Sequence, residues 1–96
     1  AQEMNTYHLT IVTPQSVFFS GEVVSIIVPG GAGSFGVLAY HAPIISTLLT
    51  GPLTLITPDA ERQVYNIGPG FLDVVNNRAT VITASIEALP DPNEKR

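Results

Sequence analysis

The chain has no cysteine. That excludes a disulfide framework and a thiolate metal site. Basic residues are nearly as scarce: four Lys and Arg stand against eight Asp and Glu, for a net charge of −4. A protein that binds nucleic acid needs a basic stripe to neutralise phosphates, and none can be assembled here. Charged residues of both signs make up only 12% of the chain, about half the usual share of roughly 25%. Either a partner covers part of the surface, or a small strand-rich domain needs less charge. No apolar run reaches the roughly 18–20 residues that span a bilayer, and no secretory signal pattern opens the chain. Ala1-Gln2-Glu3 ahead of Met4 reads as a vector remnant before a native start. The expectation is a soluble protein of a reducing or neutral compartment, with membrane contact only through a partner.

Reactive constellations are also missing. His8 and His41 are the only histidines, and the nearby acids Glu22 and Asp59 show no ligand spacing, whereas a metal site needs three or four convergent ligands. His8 is expected at a strand start, and His41 in a loop, hydrogen-bonded or at an interface. No serine sits in a GxSxG elbow, and the carboxylates are scattered through turns, so neither a nucleophile nor an acid–base pair is visible. Gly31-Ala32-Gly33-Ser34-Phe35-Gly36 matches GxGxxG after a predicted strand, and Asp59 lies where a dinucleotide fold places its ribose-binding acid. That motif must open a helix whose N-terminus receives the pyrophosphate. Pro43 cuts the following segment short, and the rest of the chain lacks crossover helices. A shaped loop between strands is the better reading. A Walker loop is excluded, because no Lys-Ser/Thr follows Gly36.

What the chain does have is apolar residues, 45% of 96, and frequent turn residues. One domain of this size buries only about 60–65% of the surface its unfolded chain exposes, so it needs an apolar-rich core. Gly, Pro, Asn or Asp punctuates the chain every eight to twelve residues, with short β-branched runs between, the pattern of a sandwich or barrel. Strands are predicted at residues 7–13 with Leu9 and Ile11 on one face, at 17–19 closed by Ser20-Gly21, and at 22–28 with Val24, Ile26 and Val28 inward and Pro29 as a stop. Residues 43–50 fit helix or strand. Gly51-Pro52 breaks the chain, and 53–57 and 62–67 form a hairpin around Pro58-Asp59-Ala60-Glu61. Residues 71–75 and 79–84 follow, joined at Asn76-Asn77, which tolerates left-handed backbone. The tail from Pro90 is expected to fray. Most aromatics are assigned to the core. Phe35 and Tyr40, flanking a stretch with Gly30, Gly31, Gly33 and Gly36, are expected to be exposed as anchors for a partner.

The motifs Phe19-Ser20-Gly21, Val28-Pro29-Gly30, Gly33 with Phe35-Gly36-Val37-Leu38, His41-Ala42-Pro43, Gly51-Pro52 and Gly70-Phe71-Leu72 together resemble the epsilon subunit of F-type ATP synthases, called delta in mitochondria. The likeness covers about residues 7–85. It implies an all-β single domain, a flattened β-sandwich or barrel of about ten strands over 7–88, with a lead at 1–6 and a polar tail at 89–96. It also implies a non-catalytic rotor subunit at the foot of the central stalk. There the domain would link the gamma subunit to the membrane c-ring and couple proton transport to ATP synthesis, peripheral to the cytoplasmic face of the bacterial membrane or its stromal or matrix equivalent. On this resemblance Gly33, Ser34, Phe35 and Gly36 face the c-ring, Tyr40, His41, Ala42 and Pro43 touch gamma, and no cofactor, metal or nucleotide is held. Three departures stand out. Ser34 occupies a position that is often acidic in the family. Ala39-Tyr40 replaces the usual Pro-Gly. And the chain ends in PDPNEKR where the family usually continues past about Glu87 into two helices that inhibit hydrolysis and in some species bind ATP. The implied form is the sandwich without that pair, from a naturally short subunit or a shortened chain. The other reading of the residues is a small β-barrel enzyme or sugar-binding domain using residues 30–36 as a ligand lip.

Overall fold

In a computed structural model, described for residues 5–89, ten strands follow one another with no helix among the described residues. They are β1 (Tyr7–Val12), β2 (Val17–Val23), β3 (Ser25–Gly30), β4 (Gly33–Leu38), β5 (Ile44–Leu48), β6 (Gly51–Ile56), β7 (Arg62–Ile67), β8 (Gly70–Val75), β9 (Arg78–Thr83) and β10 (Ile86–Leu89). Hydrogen bonding runs in the order β10-β7-β6-β3-β5-β8-β9-β1-β2, with β4 on the other side of β3. All pairs are antiparallel except β1 with β9. The hinge of this sheet is the edge of β3 that both β6 and β5 share. Ser25 to Ile27 pair with β6, while Gly30 alone pairs with Leu48 of β5. There the sheet folds over, giving two layers, β4-β3-β6-β7-β10 and β5-β8-β9-β1-β2, the arrangement by which a strand edge changes sheets at a sandwich corner.

Alternation sets the core. Leu9 and Ile11 of β1, Leu72 and Val74 of β8 and Val81 of β9 face Ile26 and Val28 of β3, Val37 of β4, and Leu53 and Leu55 of β6 in one buried cluster. The Tyr7 hydroxyl crosses between the layers to donate to the Val37 carbonyl at 2.7 Å. Thr83, the buried polar residue, sits with its hydroxyl 2.8 Å from the Gly68 carbonyl and 3.0 Å from that of Ser85. At Gly70 a Cβ would run into the Ile82 carbonyl oxygen, so only glycine lets β8 start this close to β9.

Turn chemistry read from the sequence holds. Val75 pairs with Arg78 across Asn76 and Asn77, at φ 53° and 59°, the two left-handed residues of a type I′ hairpin. The Thr57 amide bonds the Glu61 carbonyl at 2.9 Å, and Ala60 takes φ 64°, a three-residue hairpin with Pro58 at its preferred corner.

Other boundaries differ. Ser20-Gly21 does not close β2, which continues to Val23; the chain bends at Val24, so Val23 is buried and Val24 only half-buried. Pro29 does not stop β3. It pairs with Ser34, and its carbonyl accepts the Leu49 amide at 2.8 Å. Its missing N–H therefore points where β5 gives way to β6, and no bond to β4 is lost. Gly51 and Pro52 lie inside β6, and residues 44–48 resolve as strand. A final strand, β10, adds to the edge of β7. Residues 1–4 of the lead expected at 1–6, and the tail from Pro90, lie outside the described residues.

The aromatics correct the core assignment. Phe18 is the extra residue of a bulge between Ile11↔Phe19 and Val12↔Val17, and it reaches Tyr65 edge-on at 5.3 Å and 86°. Both Phe18 and Phe71 are exposed rather than core. Phe35, expected at an exposed tip, instead packs partly buried against the core.

Candidate functional site

The glycine-rich stretch is a hairpin. Gly30 pairs with Gly33 across Gly31 and Ala32, and Gly33 takes φ 125°, a conformation open to glycine but costly for other residues. The GxGxxG residues thus occupy a turn and the first four residues of β4, which leads into no helix N-terminus where a phosphate could sit. Gly33, Ser34 and Gly36 are exposed along β4. The Phe35 ring folds over Gly30, whose added Cβ would meet it at 2.6 Å. That inward turn is why Phe35 is not available as an anchor.

At the far end of β4 the chain turns through Leu38-Ala39-Tyr40-His41. The His41 amide donates to the Leu38 carbonyl at 3.3 Å. Ala39 keeps a negative φ and Tyr40 takes φ 62°, the signature of a type II turn, in which Pro-Gly is the favoured central pair. Tyr40 is 72% exposed. The His41 ring places Nδ1 2.7 Å from the Ala42 carbonyl oxygen; a carbonyl only accepts, so Nδ1 carries the proton there. Ala42 and Pro43 lead into β5, and Pro43 helps line a groove of about 450 Å3 with Ile45 and Val75. The two sets of predicted site residues are therefore not brought together. They lie at opposite ends of β4, where Ser34 to Leu38 alone span roughly 14 Å at about 3.4 Å per residue.

Sequence reasoning missed a third feature. On the outer face of the β5-β8-β9-β1-β2 layer, the register aligns Phe71, Ile82, Val12 and Val17 in a row across four strands. Val17 is 58% exposed, Phe71 54% and Ile82 53%, and Pro14 and Pro69 help enclose a groove of about 420 Å3 beside them. A signal was present: residues 71–75, FLDVV, set Phe71 and Val75 on either side of Asp73 on the parity opposite Leu72 and Val74, largely apolar on both. In a two-layer domain such a strand has one apolar face the core does not use.

A polar row crosses the same face. His8 Nε2 lies 3.0 Å from Ser20 Oγ, His8 Nδ1 3.5 Å from Glu22 Oε2, and Thr6 donates to Glu22 at 2.8 Å. The order serine–histidine–carboxylate resembles a nucleophile relay, but Ser20 stands exposed on an open strand surface, not at a cleft that could exclude water and align an acyl group.

The fold and surface define a class: a small all-β sandwich with an apolar row on one outer face. Residues 6–89 match the model of the ATP synthase Delta/Epsilon chain, beta-sandwich domain, and the chain belongs to that family. It is 39% identical over 90 residues to the ATP synthase epsilon chain of Protochlamydia amoebophila, covering 94% of this chain and 61% of that relative. It is 40% identical over 86 residues to the ATP synthase epsilon chain of Chlorobaculum tepidum, covering 90% of this chain and 98% of that one. The chain thus spans about three-fifths of the first relative's length and nearly all of the second's. Its fold is that of a chain in the OSCP/F1/c-ring structure of the Euglena gracilis mitochondrial ATP synthase, with TM-score 0.84 at 21% identity over 92% of this chain and 56% of that one. A chain in the Tetrahymena thermophila central stalk/c-ring structure gives 0.73 at 15% identity, over 90% of this chain and 66% of that one.

Proposed function

We propose that this chain is a non-catalytic rotor subunit of an F-type ATP synthase, joining the gamma subunit to the c-ring so that proton transport and ATP synthesis stay coupled. It would be held at the membrane through the complex, on the cytoplasmic, stromal or matrix side. The observation that carries this reading is the exposed apolar outer face of the β5-β8-β9-β1-β2 layer, on a family member with 12% charged residues. Gamma docks across that face and over Tyr40, His41, Ala42 and Pro43. Gly33, Ser34 and Gly36 face the c-ring, with Phe35 stiffening the hairpin from beneath.

Co-elution with purified gamma tests the first contact. Phe71→Ser with Ile82→Ser should leave the isolated domain folded, because both side chains are more than half exposed, and weaken binding at least about tenfold, the loss expected when central apolar anchors are truncated. Unchanged co-elution would refute this docking face. For the second contact, Ser34→Cys should cross-link to a cysteine in a polar loop of the c-ring. Asp59 and Asn77 lie at the opposite end of the sandwich, so cross-linking from those positions with none from Ser34 would overturn the placement.

A further inference from the structure

We infer that Asn77 is a positioning residue for the docking loop, setting the orientation of the Ala39–Tyr40 peptide that no Pro-Gly pair sets here. The inference rests on the reading of residues 40–43 as a docking loop. In a four-residue turn the central peptide can face either way. One orientation gives a type I turn, which suits any residue. The other gives a type II turn, which demands positive φ at the third position and so favours glycine. With tyrosine at that position the left-handed conformation is penalised, and an isolated Ala-Tyr turn would relax to type I. Yet Tyr40 has φ 62°.

The N–H of Tyr40 belongs to the peptide that flips, and it donates to Asn77 Oδ1 at 2.7 Å across 37 residues of sequence. Asn77 in turn donates from Nδ2 to the Thr6 carbonyl at 3.0 Å. Its own backbone, at φ 59° in the type I′ hairpin, is rigidly placed by the β8–β9 ladder. The acceptor is thus held by the sheet, not by the loop it organises. A flip to type I would turn the Tyr40 N–H away from Oδ1 and leave that oxygen unpaired. The penalty for left-handed tyrosine and the net gain from one hydrogen bond are of the same order, so removing the acceptor is enough to release the turn. Because Tyr40 is exposed and leads directly into His41, Ala42 and Pro43, the turn type decides where all four side chains are presented.

The test uses the 15N,13C-labelled 96-residue chain and purified gamma. A type II turn gives a strong NOE between Ala39 Hα and the Tyr40 amide proton, which weakens in type I. Asn77→Gly suits the left-handed backbone but removes the side chain. It should lose that NOE, accelerate exchange of the Tyr40 amide at least about tenfold, and bind gamma at least about tenfold more weakly. Asn77→Asp keeps the acceptor and should retain the NOE and bind within about threefold of the unsubstituted chain, while residues near Thr6 exchange faster. Asn77→Gly combined with Tyr40→Gly should recover the type II NOE, because glycine needs no clamp. A strong NOE persisting in Asn77→Gly alone would overturn the proposal, as would full affinity for gamma once the turn has flipped. Failure of the unsubstituted chain to bind gamma would overturn the docking reading instead, and the NOE would still decide whether Asn77 sets the turn.

Discussion

Tyr40→Gly should make the domain more stable and a worse partner. Left-handed backbone costs a non-glycine residue about 1–2 kcal/mol, and Tyr40 sits there at φ 62°. Glycine removes that cost but also loosens the unfolded chain, which returns about 0.4–1 kcal/mol. Little packing is lost, since the side chain is 72% exposed. The net expectation is a gain of about 0.5–1 kcal/mol, or about 3–6 °C in Tm for a domain of this size. Ala60→Gly calibrates the backbone effect. Ala60 takes φ 64° in the exposed hairpin between β6 and β7, outside the residues assigned to either proposed contact, and its substitution should raise Tm similarly. The two variants should part on binding. Losing an aromatic anchor typically costs about 2 kcal/mol or more, so Tyr40→Gly should weaken affinity for gamma roughly 30-fold by calorimetry, with Ala60→Gly unchanged. A Tm that rises for Ala60→Gly but falls for Tyr40→Gly would mean that Tyr40 is stabilised by contacts outweighing its strain. Equal affinity for gamma would refute its role as an anchor.

Gly70→Ala drives a Cβ into the Ile82 backbone, which cannot swing aside as a side chain can; the cost should be about 3 kcal/mol or more, read as a loss of cooperative unfolding or a Tm fall of more than about 12 °C. High pH gives a further test. Burial pushes the Tyr7 hydroxyl well above its ordinary value of 10.0, and burial with the nearby Glu61 carboxylate raises that of Tyr65 as well. Below pH 10 both states keep their protons and stability is unaffected; above it the unfolded chain ionises first, so stability should fall by up to about 1.4 kcal/mol per pH unit for Tyr7, with a smaller contribution in the same direction from the more exposed Tyr65. Urea midpoints from pH 8 to 11 should show this decline, and Tyr7→Phe, though less stable at pH 8 for want of its bond to Val37, should flatten it; a decline of equal slope in Tyr7→Phe would assign it to other groups.

What could be read from the sequence was what is local. Pro58-Asp59 and Asn76-Asn77 carry their turn type in their own φ preferences, and both hairpins form where expected. The alternation of Leu9 with Ile11 and of Ile26 with Val28 marked the inner face. What could not be read depends on a distant strand. Pro29 is tolerated because the edge it faces changes partner, a consequence of Leu48 and Leu49 lying beside Gly30 and Pro29. Phe35 looked like a tip until Gly30 gave its ring a surface to lie on. Phe71 looked like core because an apolar side chain carries no mark of which layer, or which subunit, will cover it. Tyr40 was legible as exposed, but its clamp was not, since the acceptor is 37 residues away.

The proposed contacts place an unusual demand on β4. Among the described residues it pairs with β3 as its one neighbouring strand, and a strand paired on one side is the most readily frayed part of a sheet. A load entering at Ser34 and leaving at Tyr40 would travel along that strand. Three ties compensate for the missing neighbour. The Phe35 ring closes over Gly30 near the hairpin. Val37 is buried, and its carbonyl takes the Tyr7 hydroxyl from the opposite layer at 2.7 Å. Asn77 holds the Tyr40 amide at the far end. The ties are spaced along the strand, and the last two draw on the β1 and β8–β9 side of the sandwich. A displacement of β4 must therefore strain both layers, and close-packed layers deform little. Those cross-ties add to the stiffness that the β3–β4 ladder supplies along this edge. Weakening any one of them should soften the path between the two contacts without unfolding the domain.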